Sequence, residues 1–283
     1  MRDLADRLDL LALNGATVRE RWRLPEIVDG CARHGFGGIA PWRDQLQVTG
    51  TGTAARLIRD AGLRVSGLCR GGLLTAPDEA GRRAAIDDNR RAIDEAAQLD
   101  AECLVMLAGG LPGGSRDLRH AWRQVEEGLA AILPHARAAG VPLAIEPLHP
   151  MYAADRCCVN LLSHALDLCE RLDPENQGGI GVAIDVYHVW FDPGLDAQIA
   201  RAGEAGRILA FHVSDWRVPT RDLLLDRAMM GDGAIDIPRI RGRVEDAGYD
   251  GLVEVEIFSQ HDWWRRDAEE VLTIVAERFR TVV

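Results

Sequence analysis

Two features of this sequence predict an α/β fold built as a single (β/α)8 barrel. Eight short apolar runs alternate with helical patterns from one end to the other, and several of the runs follow an Ala-Gly helix stop. A third observation excludes the main competitor. The first run leads into "ALNGATVRERW", without the GxGxxG turn that an open, doubly wound sheet requires after its first strand.

The strands are predicted, in order, at 9–14 (DLLALN), 36–41 (FGGIAP), 63–69 (LRVSGLC) and 102–108 (ECLVMLA). The second four are at 141–146 (VPLAIE), 179–185 (GIGVAID), 207–213 (RILAFHV) and 252–258 (LVEVEIF). Amphipathic stretches rich in Ala, Leu, Arg and Glu predict helices at 78–99, 117–139, 161–172 and 267–280. No linker or low-complexity segment divides the chain, so residues 1–283 are expected to form one barrel domain.

Composition narrows the function. A net charge of −11 repels polyphosphate and predicts no nucleic-acid partner. No apolar run reaches membrane-spanning length, and the charged start "MRDLADRLDL" does not read as a signal peptide. Six scattered cysteines without a CxxC suit reduced thiols and a cytoplasmic protein. All 33 basic residues are arginine, which excludes Schiff-base, pyridoxal-phosphate and Walker-loop chemistry because each needs a lysine.

In a (β/α)8 barrel, chemistry sits at the C-terminal strand ends. The last four predicted strands end at Glu146, Asp185, His212 and Glu256, separated by 39, 27 and 44 residues, about one βα unit each. A lone acidic residue at a strand end is ordinarily a helix cap or a surface pair. Four such ends in succession converge on one side of the mouth, and three carboxylates cannot share that space without a cation. Three oxygen ligands and one imidazole predict one divalent metal ion, Mn²⁺ first, with Mg²⁺, Co²⁺ and Zn²⁺ as alternatives.

The stretches "IEPLHP", "CCVNLLSHALDLCE", "AIDVYHVW", "FHVSDW", "LLLDRAMMGDGAIDIPRI" and "GYDGLVEVEIF" resemble the xylose-isomerase-like barrel superfamily of sugar isomerases and epimerases. Within it they are most similar to the inosose (2-keto-myo-inositol) isomerase branch. The match covers residues 141–283; the first half shares only the βα pattern. The resemblance implies Glu146, Asp185, His212 and Glu256 as metal ligands and His188 and Arg227 as substrate-binding residues. It further implies Glu146 and Glu256 as the acid–base pair, moving a proton α to the carbonyl of a keto-sugar or keto-inositol while the metal stabilises the enediolate. The ketose 3-epimerases of the family carry another acidic residue shortly after the Glu146 motif. Here His149 and Tyr152 stand in that region, with Asp155 beyond, which favours another polyol.

Further candidates come from the remaining strand ends. Arg70 ends the third strand and is a substrate-contact candidate; Trp42, after the second, either walls the pocket or fills core. Trp263 and Trp264 are expected to cover the mouth or to form a subunit contact in a homo-oligomer. "AGGLPGG" at 108–114 reads as a mobile loop, "GDG" at 231–233 as a turn, and Cys157–Cys158 as passive thiols. Two other functions share the barrel and its first proton abstraction or its sugar site: a lyase acting on the same substrate class, and a non-catalytic sugar sensor. AP endonucleases also share it, but they carry histidines for a three-zinc cluster where this chain has "GLCRGG" and "VMLAGG".

Overall fold

The computed structural model describes all 283 residues. The first half contains β1 (Leu11–Asn14), α1 (Leu24–Arg33), β2 (Gly38–Ala40), α2 (Arg43–Thr49), α3 (Thr51–Asp60), β3 (Arg64–Val65), β4 (Leu68–Gly72), α4 (Glu79–Gln98) and β5 (Leu104–Leu107). It continues through α5 (Leu118–Ala139), β6 (Leu143–Ile145), α6 (Leu162–Leu172), β7 (Ile180–Asp185), α7 (Val186–Val189), α8 (Leu195–Glu204) and β8 (Ile208–Val213). The last part holds β9 (Asp215–Trp216), β10 (Arg227–Ala228), α9 (Ile237–Asp246), β11 (Val253–Val255) and α10 (Ala268–Thr281).

Nine strands form one sheet in the order β3-β2-β1-β11-β8-β7-β6-β5-β4, with every neighbouring pair parallel. The sheet edges meet. The Ser66 N–H donates to the Ile39 carbonyl and the Cys69 N–H to Pro41, while the Leu68 N–H donates to Cys103. The single strand expected at 63–69 is therefore two, because the chain changes partner at Ser66–Gly67 and interrupts its ladder. β3 and β4 together complete the barrel that the eight apolar runs predict.

Most of the strands are buried on both faces, as parallel barrel strands are, and β1 and β7 are buried along their whole length, whereas Arg64 of β3 is exposed. Helices cover them: α5 buries Ala121, Val125, Leu129, Ile132 and Ala136, the three- and four-residue spacing of one apolar stripe. The helix stops are real. Gly62, Gly140, Gly206 and Gly248 have φ of +72°, +70°, +62° and +93°, where a side chain costs about 1 kcal/mol. A contiguous core of 80 buried apolar residues results. No helix is long and apolar enough to cross a membrane.

One element above the mouth is not evident from periodicity. β9 and β10 form a short antiparallel pair, so Arg227 lies in a strand rather than in a loop. Beneath it the "GDG" turn is held by Asp215, whose carboxylate accepts from the N–H groups of Gly231, Gly233 and Ile235 at 2.9–3.0 Å.

Candidate metal centre

Glu146 follows β6, Asp185 ends β7, His212 lies one residue from the end of β8, and Glu256 follows β11. The barrel register places Asp185 beside His212 and His212 beside Glu254. The ligating atoms of Glu146, Asp185, His212 and Glu256 all lie within 4.8 Å of one another, and all four residues are buried. His212 Nδ1 is 3.0 Å from Glu146 Oε1. Asp185 also caps a helix: its Oδ1 accepts the Tyr187 N–H at 2.9 Å, starting α7, while Oδ2 points into the cluster. The bland role of an acidic strand end and the chemical one thus coexist on one side chain.

Arg227 supplies the resident positive charge. Its Nη1 donates to Asp185 Oδ2 at 2.8 Å and lies 3.1 Å from Glu256 Oε2. The guanidinium sits 4.4 Å from the ring centre of Tyr187 and 5.5 Å from that of Phe258. Its Nη2 lies 3.1 Å from His188 Nε2, whose Nδ1 faces the His149 N–H at 3.3 Å. Burial draws the His188 pKa down to about 3, with Asp185 opposing and Arg227 reinforcing, so the ring is neutral at physiological pH. A neutral imidazole accepts through one nitrogen only. One of these two contacts is therefore donor against donor, and it is relieved if Arg227 or the ring turns toward an incoming oxygen.

Burial pushes the Glu256 carboxyl up to about 8, with Arg227 opposing and Glu146 adding to the rise. Glu146 is also raised by burial, against the pull of His212. Burial would raise Asp185, but the charge of Arg227 holds it low. Burial alone would lower His212, but Glu254 and Glu146 outweigh it and lift the ring to about 10. Fully ionised, three carboxylates and one arginine carry two excess negative charges; without metal the protons on Glu256 and His212 offset them, and a divalent cation can take the place of those two protons. The donor set suits it too: hard oxygens and one imidazole, without a thiolate. Buried His212 Nε2 has no hydrogen-bond partner, so the ring is not fully committed within the protein.

Glu254 escapes the strand-end reading. It lies one layer below Glu256, buried, with Oε1 accepting from Asn14 Nδ2 at 2.7 Å and Oε2 from Ser66 Oγ at 2.7 Å. Oε2 is also 3.6 Å from His212 Nε2, so a held carboxylate faces the ring nitrogen opposite Glu146. The signal is in "LVEVEIF": a period of two places Glu254 and Glu256 on one face. Cys69 joins Glu254 and Glu256 in a second group of close ligand atoms. Burial and those two carboxylates raise its thiol pKa well above the ordinary range, so it remains a protonated, poor ligand. Glu254→Gln is expected to weaken metal binding by about 10–100-fold, the usual worth of a ligand's orienting partner, while the protein stays folded. Calorimetric titration with Mn²⁺ measures it; unchanged affinity removes Glu254 from the centre.

The other expected residues gather around one pocket. Trp42, Arg70, Tyr152, Arg156 and Phe258 form its walls, with Glu146, His188, Arg227 and Glu256 below. Trp42 is a wall rather than core filler, anchored by Nε1 donating to Asn14 Oδ1 at 2.7 Å and set edge-on to Phe258. Trp264 donates to the Ala16 carbonyl and packs near Phe258, whereas Trp263 is buried core under Arg266 rather than a cover. Cys157 and Cys158 are buried free thiols. A larger cleft, about 600 Å³, opens among Arg59, Leu63 and Gly140 near the helix stops, and its Arg64 is paired with Glu102.

The xylose isomerase-like TIM barrel family matches residues 28–274 of this chain. An inosose isomerase of Bacillus licheniformis is 23% identical, over 96% of this chain and 97% of its own. Among solved structures, a protein of Sinorhizobium meliloti 1021 superposes with a TM-score of 0.95 at 60% identity, covering 98% of this chain and 99% of that one. The IolI protein, crystallised with a bound zinc atom, superposes with a TM-score of 0.79 at 19% identity over 95% of each chain.

Proposed function

The chain belongs to the xylose isomerase-like TIM barrel family, and from that premise we propose that it is a divalent-metal-dependent isomerase or epimerase of a keto-sugar or keto-inositol. One observation carries this reading: four metal-capable groups from four successive barrel strands are buried within 4.8 Å of one another at the base of a pocket. Glu146, Asp185, His212 and Glu256 would hold the ion. Its charge would acidify the proton α to a ketone and stabilise the negative charge that develops as the proton leaves. The similarity to inosose isomerases supports a polyol ring or chain as the substrate.

Glu146 and Glu256 directly follow different strands, β6 and β11, and so approach a bound substrate from different directions. We assign them the two halves of the proton transfer, one removing the α-proton and the other returning it. Burial has raised both carboxyls toward the range where a group both accepts and gives a proton near neutral pH. Arg227 orients Glu256 and Asp185, and neutral His188 offers a ring nitrogen to a substrate oxygen. Trp42 and Phe258 supply apolar walls that exclude water from the C–H side of a polyol.

The test is incubation of the metal-loaded protein with a panel of inososes, ketoses and keto-glycosides in D₂O. Deuterium is expected at the α-carbon of at least one panel member by NMR, with loss of exchange after chelation. A product lacking a β-substituent would redirect the reading to a lyase. Absence of exchange across the panel would remove the proposed chemistry.

A further inference from the structure

Most partly or fully buried arginines in this protein are neutralised: Arg43 by Asp88 and Glu95, Arg207 by Asp173, Arg217 by Asp262, Arg227 by Asp185 and Glu256. Two break the pattern. Among the buried and partly buried arginines, only Arg70 and Arg156 have no carboxylate within 4.0 Å, and both line the same pocket above the metal cluster. From this pairing we infer that the substrate carries an anionic group, a carboxylate or a phosphate ester, seated between Arg70 and Arg156 while its ketone faces the metal cluster.

Two guanidinium groups are held in that position at a cost. Burial lowers the Arg70 pKa and the like charge of Arg156 lowers it further, against a weaker opposing pull from more distant Asp44. The supports beneath them are rigid. Asn89, buried on α4, clamps the end of β4 through both the N–H and the carbonyl of Gly72, at 2.6 and 2.8 Å. Arg156 sits on a segment docked against the glycine-rich stretch after β5: the Leu111 N–H donates to Ala154 at 2.7 Å and the Cys158 N–H to Gly109 at 2.9 Å. A Cβ on Gly110 would lie 2.5 Å from the Ala154 carbonyl oxygen and 2.8 Å from Arg156 N. "AGGLPGG" is thus the seat of the arginine-bearing segment, not a free loop. Arg156 also lies over Tyr152, 5.5 Å from its ring centre, which limits its swing. A pocket for an uncharged polyol has no use for two unpaired, half-buried cations; a forked guanidinium pair suits anionic oxygens.

This inference takes the ketone from the proposed function but not the proton transfer, so the two fail separately. The test uses a matched trio, D-fructose, D-fructose 6-phosphate and D-fructuronate, with the metal-loaded protein. Calorimetry reads binding, and deuterium incorporation in D₂O reads the chemistry. At least one anion is expected to bind roughly tenfold or more tightly than D-fructose, the worth of one charge-assisted pair. Which anion wins tells phosphate from carboxylate. Arg70→Gln and Arg156→Gln remove no ion pair within the chain, and each is expected to abolish most of that preference. Equal binding of all three, binding of none, or an anion preference that survives both substitutions overturns the inference. An arginine-dependent preference without deuterium exchange sustains it and removes the proton-transfer reading instead.

Discussion

Glu256→Gln is expected to lower turnover by about 10²–10⁴, the usual contribution of a positioned general base, while the protein still binds metal. The substitution is nearly isosteric. Its amide oxygen can still accept from one of Asn14 Nδ2 and Arg227 Nη1, which meet different oxygens of this carboxylate at 3.0 and 3.1 Å. What disappears is the capacity to take a proton. Deuterium exchange then separates the two glutamates. If Glu146 is the first base, the variant still washes deuterium into the substrate's α-position without forming product. If Glu256 acts first, exchange vanishes with turnover, and Glu146→Gln shows it when the reaction is run from product. Near-native turnover in both variants, with metal bound, would transfer the role to His188 or to water.

The second large effect is on the metal itself. Asp185→Asn and His212→Ala are each expected to weaken metal affinity by at least about 100-fold and to abolish activity, since each removes a ligand rather than its orienting partner. Neither is expected to unfold the barrel, whose core of 80 apolar residues is independent of the polar mouth. Asparagine also keeps an oxygen for the Tyr187 N–H that starts α7. Circular dichroism confirms the fold, and a collapsed melt in both variants would make the cluster structural. Metal uptake by the native protein is expected to depend on pH in a definite direction. Without metal, Glu256 at about 8 and His212 at about 10 both carry protons at neutral pH, and both must lose them to become ligands. Affinity therefore rises as pH increases toward 8, by up to about tenfold per unit for each proton displaced. An affinity that is flat from pH 6 to 8 would contradict the two raised pKa values.

The residues most readily found from sequence share one property. Glu146, Asp185, His212 and Glu256 each sit at or within one residue of the end of a run buried on both faces, where a polar side chain is conspicuous. The eight strands were legible for the same reason, and the helices because each buries a single stripe. The less legible parts depend on contacts between distant segments. Glu254 looks like half of an acidic alternation until Asn14 and His212, from two other strands, and Ser66, from the break between β3 and β4, are brought around it. Arg227 reads as a loop residue because a two-residue strand such as β10 has no periodicity to detect. Arg156 depends on a loop seated on Gly110, a contact between positions 46 residues apart that no local pattern encodes. The split of the third strand into β3 and β4 arises likewise from a change of partner, not of composition.

The most direct test of the centre is anomalous diffraction from crystals soaked with Mn²⁺ and measured on both sides of the manganese absorption edge. One strong anomalous peak per chain is predicted, enclosed by the side chains of Glu146, Asp185, His212 and Glu256 and absent from Asp185→Asn crystals. A chain with no peak, or with its metal elsewhere while these four side chains keep only their contacts within the protein, would contradict a metal centre at the mouth of this barrel.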